Sequence, residues 1–284
     1  MITLNERGCE NMSGGTAITA LKRSIKHLVR RDGFRWLDSP ARRSWYYLRT
    51  VGELKNLPAT LLRFRKNVRS QPAVELIDLT FSQFGGVFLP FQNKSELERL
   101  TERVASIKPR VVVEIGTARG GTLFLLSCVA DPHAHLISID LPAGLHGGGY
   151  PVWKGLLFRR FVGDGQTLHL IRGNSHEDAI FNAVHKKLGG ANVDLLFIDG
   201  DHSYDGAKKD FVCYRTLVRS GGLIVFHDIL ENRSDKDINV APLWREISQS
   251  YQTEEIVESY DQGKFGIGVL TVPEHWERPP VQAA

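Results

Sequence analysis

Three glycines, Gly116, Gly120 and Gly121, stand directly behind the apolar run Val111-Val112-Val113, and this stretch constrains the chain more than any other. A β-branched run of this kind reads as a buried strand. Glycines behind it form a turn whose backbone can approach a ligand closely. The apolar segment from Thr122 to Ala130 then reads as a helix packed on that strand. Strand, glycine turn and helix make a nucleotide-binding corner. Further on, the strand His135-Leu136-Ile137-Ser138-Ile139 ends in Asp140. A carboxylate there suits a ribose diol, because it can accept hydrogen bonds from both hydroxyls.

The rest of the chain repeats the theme. Strands are predicted at 110–115, 135–140, 168–172, 193–199 and 222–228, alternating with helices at 121–130, 153–161, 177–188 and 206–218. Ahead of them, Ser95 with Glu98 reads as a capping box opening a helix to about Ser106. Beyond them, a helix near 241–249 leads to strands 254–258 and 266–272 around the turn Asp261-Gln262-Gly263. Such alternation predicts an α/β fold: a doubly wound, Rossmann-like parallel sheet with right-handed crossovers, seven-stranded once an antiparallel C-terminal pair is added. Two units are expected: a basic, partly flexible helical extension over 1–84 and the α/β domain over 85–284.

Composition sets the limits. With 284 residues, 42% hydrophobic and 24% charged, the chain has the make-up of a globular protein. No apolar run approaches the ~20 residues of a membrane span, and no secretory leader is legible, so cytoplasm is the expected compartment. Cys9, Cys128 and Cys213 lack metal-ligand spacing and read as small apolar residues. The net charge of +4 is unevenly spread: residues 1–70 hold 15 Lys/Arg against 5 Asp/Glu, and the remainder 21 against 27. A basic extension on an acidic domain can pack as a solvated helical pair over the site, touch an anionic membrane, or serve as a dimerisation arm. Apolar spacing at Ile18, Leu21, Ile25 and Leu28 is helical, and the aromatic-basic stretches around Trp45 and Phe64 fit a surface-lying segment. No nucleic-acid motif is present, so no nucleic-acid partner is expected.

The glycine spacing decides the nucleotide class. A dinucleotide fingerprint needs G-x-G-x-x-G, and position 118 is Ala. The pattern E-x-G-x-x-x-G-G instead resembles the first motif of class I S-adenosylmethionine-dependent methyltransferases, whose loop carries a methionine moiety. Two further segments extend the likeness, Asp199-Gly200-Asp201-His202-Ser203-Tyr204 and Gly221-Gly222-Leu223-Ile224-Val225-Phe226-His227-Asp228. Over roughly residues 85–272 the chain resembles the cephalosporin-hydroxylase-like and rhamnosyl-type branch of sugar and small-molecule O-methyltransferases, of the methyltransferase domain family 24 type. More distantly it resembles the metal-dependent catechol-type enzymes.

That resemblance implies S-adenosylmethionine as cofactor, held by Glu114, Gly116, Thr117 and Gly120 of the turn, by Asp140, and by Ser175 and His176 near the adenine. It also implies a divalent cation, Mg²⁺ or Mn²⁺, on Asp199, His227 and Asp228. His227 stands where those relatives carry an acid, and imidazole suits Mn²⁺, Fe²⁺ or Zn²⁺ better than Mg²⁺. His202 stands where the catechol-type enzymes place a proton-accepting lysine, so His202 or His227 is the expected base. Equally, His202 can cap the next helix or bond Asp201, and Ser175 can be a helix cap. Tyr150 and Trp153, ending a glycine-rich loop, either stack on the acceptor or anchor the loop. Six other histidines, His27, His133, His135, His169, His185 and His275, read as structural. The expected acceptor is a hydroxyl of a sugar or small natural product. A nicotinamide-dependent oxidoreductase, or a non-catalytic membrane- or partner-binding protein on the same scaffold, are the alternatives.

Overall fold

The computed structural model describes residues 71–83, 86–142 and 149–274, together with Lys55 and Thr60. The expectations for residues 1–70, including the amphipathic helix, the membrane contact and the dimerisation arm, lie outside the described residues.

Seven strands form one sheet in the order β3-β2-β1-β4-β5-β7-β6. They are β1 (Val111–Ile115), β2 (His135–Asp140), β3 (Thr167–Arg172), β4 (Val193–Ile198), β5 (Val218–His227), β6 (Thr253–Ile256) and β7 (Ile267–Thr271). The pairs β1–β2, β2–β3, β1–β4 and β4–β5 are parallel, while β7 runs antiparallel to both β5 and β6. The doubly wound sheet with its closing antiparallel pair is therefore as the alternation predicts.

Strand periodicity divides the core into two layers. Val112, Leu136, Leu168, Leu195 and Val225 point to one face, and Val113, Ile137, Leu196 and Ile224 to the other. The first face is covered by α1 (Ala73–Asp78, continued by a wide turn over Leu79–Gln83), α2 (Lys94–Ile107), α3 (Gly121–Val129) and α4 (Val152–Phe158). The second is covered by α5 (Asp178–Leu188), α6 (Tyr204–Tyr214) and α7 (Ala241–Ser250). Leu76, Ile77 and Leu79 are buried in the first layer, so the described part of the N-terminal extension shares the domain's core.

Two local expectations are corrected. The cap of α2 is Asn93, whose Oδ1 accepts the Ser95 N–H at 2.9 Å, and not Ser95 with Glu98. The chain is still extended at Asn93 (ψ 137°), so the cap falls there, two residues before the S-x-x-E pattern. Strand β5 begins at Val218 instead of 222, because Val218 pairs with Val193 and a register shift before Leu195 accommodates the two glycines.

The connection between β6 and β7 is fastened by a buried carboxylate on α2. Glu96 is fully buried and accepts hydrogen bonds from Glu258 N–H at 3.1 Å, Gln262 Nε2 at 2.7 Å and Gly266 N–H at 3.0 Å. Truncation leaves these donors unpaired, so Glu96→Ala is expected to lose about 3 kcal/mol of stability in urea unfolding. A loss below ~0.5 kcal/mol would show that the carboxylate does not fasten this connection.

Candidate active site

The strand order reverses between β1 and β4, and their C-terminal ends meet at Gly116 and Asp199. Gly116 has φ +98°, and a Cβ there would run into the Asp199 carbonyl. Only glycine lets the two strand ends close. The ladder continues past both strands, through Gly116 N–H to Ile139 O at 2.9 Å and Asp199 N–H to Ile115 O at 2.8 Å. Ala118, where the dinucleotide pattern carries glycine, also takes a left-handed φ of +45°. Its N–H donates to Asp140 Oδ2 at 2.6 Å, a charge-assisted bond that offsets the backbone cost.

Two cavities open at this edge, consistent with the rule that open α/β sheets bind ligands at a topological switch point. The larger, about 670 Å³, is lined by Gly116, Asp140, Ser175 and His176 among others. The smaller, about 300 Å³, is lined by Thr117, Asp199, His202, His227 and Asp228, with Gln92, Arg119 and Phe265. Gly116, Asp140, Gly200 and His202 line both, so the two are lobes of one site.

Asp140 is nearly buried, and its carboxylate accepts N–H bonds from Ala118, from Leu141 at 2.7 Å and from Gly149 at 2.9 Å. Burial pushes its pKa up to about 6 despite those three donors. In the larger lobe, His176 Nε2 lies 3.2 Å from Gly206 O and 3.4 Å from the buried Asp210 carboxylate. The Asp210 contact raises the His176 pKa. Ser175 is not a cap: the N-cap of α5 is Glu177, and the Ser175 carbonyl accepts the Tyr214 hydroxyl at 3.0 Å.

The smaller lobe holds a tight cluster. One donor atom from each of Asp199, His202, His227 and Asp228 lies within 4.8 Å of the others. His227 Nδ1 is 2.9 Å from Asp199 Oδ1 and 3.4 Å from Asp228 Oδ2, and His202 Nδ1 is 2.8 Å from Asp228 Oδ2. His202 thus faces Asp228; the following helix is capped by Ser203, and Asp201 accepts the Ser203 N–H. Asp228 turns out of β5 at φ +59°, a left-handed position that Asp tolerates better than most residues. Burial alone would strip the His227 proton, but Asp228 and Asp199 hold its pKa well above the usual value. Burial would raise Asp228 too, yet His227 and His202 hold it well below the usual carboxylate range. Two carboxylates and two imidazoles at this spacing match the donor set of Mn²⁺, Fe²⁺ or Zn²⁺.

Other candidate residues stand behind the site. Gly120, at φ +85°, starts α3 where a Cβ would strike the Phe158 ring, and it lines neither lobe. Glu114 also lines neither lobe. It is fully buried, accepts Ser138 Oγ–H at 2.9 Å, and Ser138 in turn is bonded to Thr117. Tyr150 is buried against Phe158 with Arg172 over its ring, which is the anchoring arrangement. Trp153 packs on the same core.

The sequence reading missed several lining residues. Gln92 donates to Asp199 Oδ2 at 2.5 Å. The segment after Asp228 places Asp235 and Ile238 in the smaller lobe and Lys236, Asp237 and Asn239 in the larger. That segment is tied down by backbone bonds from Leu230 to Phe265 O at 3.0 Å, Arg233 to Gly263 O at 2.9 Å and Asn239 to His202 O at 2.7 Å. No periodicity marks it.

Comparison with known proteins agrees with this geometry. Residues 113–229 match a family model described as a methyltransferase domain, a span containing the glycine turn, Asp140 and all four cluster residues. Over that span the chain is similar to this methyltransferase family. Over 121 residues it is 36% identical to the uncharacterized protein R132 of Acanthamoeba polyphaga mimivirus, covering 43% of this chain and 52% of that protein. A second relative, y4gI of Sinorhizobium fredii, is 24% identical over 136 residues, 44% of this chain and 14% of that one. The chain therefore matches about half the length of the first relative and a small part of the second. The fold is shared with the O-methyltransferase TomG of Streptomyces achromogenes, solved with S-adenosylmethionine (TM-score 0.50, 16% identity, 72% of this chain and 91% of that one). It is shared equally with an O-methyltransferase from Bacillus cereus solved with S-adenosylhomocysteine (TM-score 0.50, 14% identity, 72% and 91%).

Burial raises the Glu114 pKa to about 8, against 4.5 for a free glutamate. Between those values the folded chain keeps a proton that the unfolded chain releases, so stability falls as pH rises from about 4.5 to 8. Glu114→Gln is expected to flatten this fall and to be the more stable protein at pH 8, by on the order of a few kcal/mol. Parallel urea titrations from pH 5 to 8.5 measure it, and identical slopes for the two proteins would refute the assignment.

Proposed function

We propose that the protein is an S-adenosylmethionine-dependent O-methyltransferase acting on a hydroxyl of a sugar or small natural-product acceptor, assisted by a divalent cation on Asp199, His227 and Asp228, with His202 beside them as the base. One observation carries this reading: the Asp/His cluster opens into the same double-lobed site as the glycine turn and Asp140. In it, Asp140 takes the ribose through the remaining lone pairs of its carboxylate. Ser175 and His176 flank the base, and Gly116 lets the amino-acid end reach the turn.

The reaction is a single in-line displacement, in which the acceptor oxygen bonds to the methyl carbon as the carbon–sulfur bond breaks toward sulfur. The hydroxyl proton passes to His202, whose ring Asp228 orients through Nδ1. A bound divalent cation supplies positive charge that lowers the pKa of a hydroxyl beside it. Positioning and exclusion of water supply the rest. A metal-free variant of the same chemistry is favoured by one observation: His227 Nδ1 already sits between Asp199 and Asp228, whose carboxylates favour its charged form, and that charge can serve the developing alkoxide.

Calorimetry with S-adenosylhomocysteine, with and without Mn²⁺, tests the proposal. Asp140→Ala is expected to weaken the nucleoside by roughly 100-fold, the loss of about 2–3 kcal/mol of charge-assisted bonding. Asp228→Ala is expected to keep that affinity and to lose Mn²⁺ binding and S-adenosylhomocysteine release with a panel of sugar and phenolic acceptors. No nucleoside affinity under any condition would overturn the proposal. Nucleoside affinity and turnover without Mn²⁺ affinity would select the metal-free form.

A further inference from the structure

The residue that closes the smaller lobe comes from outside the segment that matches the methyltransferase family. Gln92 precedes the N-cap of α2, whereas the match begins at residue 113. Its side chain is almost entirely buried, at 8% exposure, and its amide is engaged at both ends. Nε2 donates to Asp199 Oδ2 at 2.5 Å, and Oε1 accepts the Thr122 hydroxyl at 3.4 Å. The carboxylate can only accept, which places the NH₂ end on Asp199 and leaves the amide oxygen for the Thr122 hydroxyl.

The consequence for Asp199 is geometric. Of its two carboxylate oxygens, Oδ2 is taken by Gln92 and Oδ1 faces His227 Nδ1 at 2.9 Å. The rotamer of Asp199 is therefore held from outside the cluster. Gln92 is held in turn: Pro90 and the Phe88 carbonyl pack so closely on Gly121 that a Cβ there would collide with them. The Arg119 guanidinium lies 5.0 Å from the centroid of the Phe91 ring. The segment 88–92 is thereby docked on the first turn of α3.

We infer that Gln92 is a positioning residue: its amide fixes Asp199 in the orientation the cation site requires and ties that carboxylate, through Thr122, to the helix behind the glycine turn. This role rests on the proposed cation reading of the cluster. Partners that orient a ligand from behind typically contribute 10–100-fold in metal affinity.

The 284-residue chain is titrated with Mn²⁺ and the free-ion signal followed by electron paramagnetic resonance. S-adenosylhomocysteine affinity and thermal midpoint are recorded in parallel. Gln92→Leu, which keeps the volume and removes the donor, is expected to weaken Mn²⁺ by roughly 10–100-fold. Its nucleoside affinity and midpoint should match the parent protein. Thr122→Val keeps Nε2 on Asp199 but removes the bond that steadies the other end of the amide, and is expected to give a smaller loss in the same direction. Unchanged Mn²⁺ affinity in Gln92→Leu would overturn the role. So would a joint loss of Mn²⁺, nucleoside and thermal stability, which marks a merely structural residue. A parent protein with nucleoside affinity but no Mn²⁺ affinity would overturn the cation reading itself, and this role with it.

Discussion

The close approach of Gly116 to the Asp199 carbonyl is the constraint on which the rest of the site depends. A side chain at 116 would push β1 and β4 apart at the point where the sheet reverses its winding. Because the approach is allowed, the turn behind β1 lies against the loop behind β4. Asp140, one strand over, then sits on the boundary of both lobes. Ala118 completes the arrangement: its unfavourable backbone angle presents an N–H to Asp140, so the carboxylate at the end of β2 also organises the turn behind β1.

Charge is distributed by depth. In the smaller lobe, Asp199 and Asp228 face His227 and His202; the carboxylates hold His227 in its charged form, and the imidazoles do the same for Asp228. One layer down, Glu114 bonds a hydroxyl and no imidazole, and burial, with the nearby Asp140 and Asp199 carboxylates, drives it toward the neutral acid. Two buried carboxyl groups of one sheet, Glu114 and Asp228, are thus driven toward opposite states because Asp228 has imidazole partners and Glu114 does not. Neutral Glu114 spares the site a further negative charge beneath the turn.

Much of this was legible in the amino-acid order. Buried parallel strands read as largely apolar runs, so β2, β4 and the second half of β5 were plain, and their ends marked lining residues: Asp140, Asp199 and His227. Glu114 was equally visible, but its place behind the site follows only from its register opposite Ser138. Gln92 was illegible for a different reason. A single amide preceding a helix has no periodicity, and its partner Asp199 lies 107 positions away. His202 lay between: the residue could be singled out, but whether it faced Asp228, Asp201 or a helix end was set by the left-handed turn at Asp228.

The segment following Asp228 lines both lobes, yet it is not a free flap. Backbone bonds from Leu230, Arg233 and Asn239 bind it to the β6–β7 connection and to the β4 loop. The conformational entropy of ordering this wall is therefore spent when the chain folds, before any ligand arrives. On this side a ligand meets a preformed wall, and discrimination among ligands there turns on shape and polarity against it, with little scope for that wall to adapt.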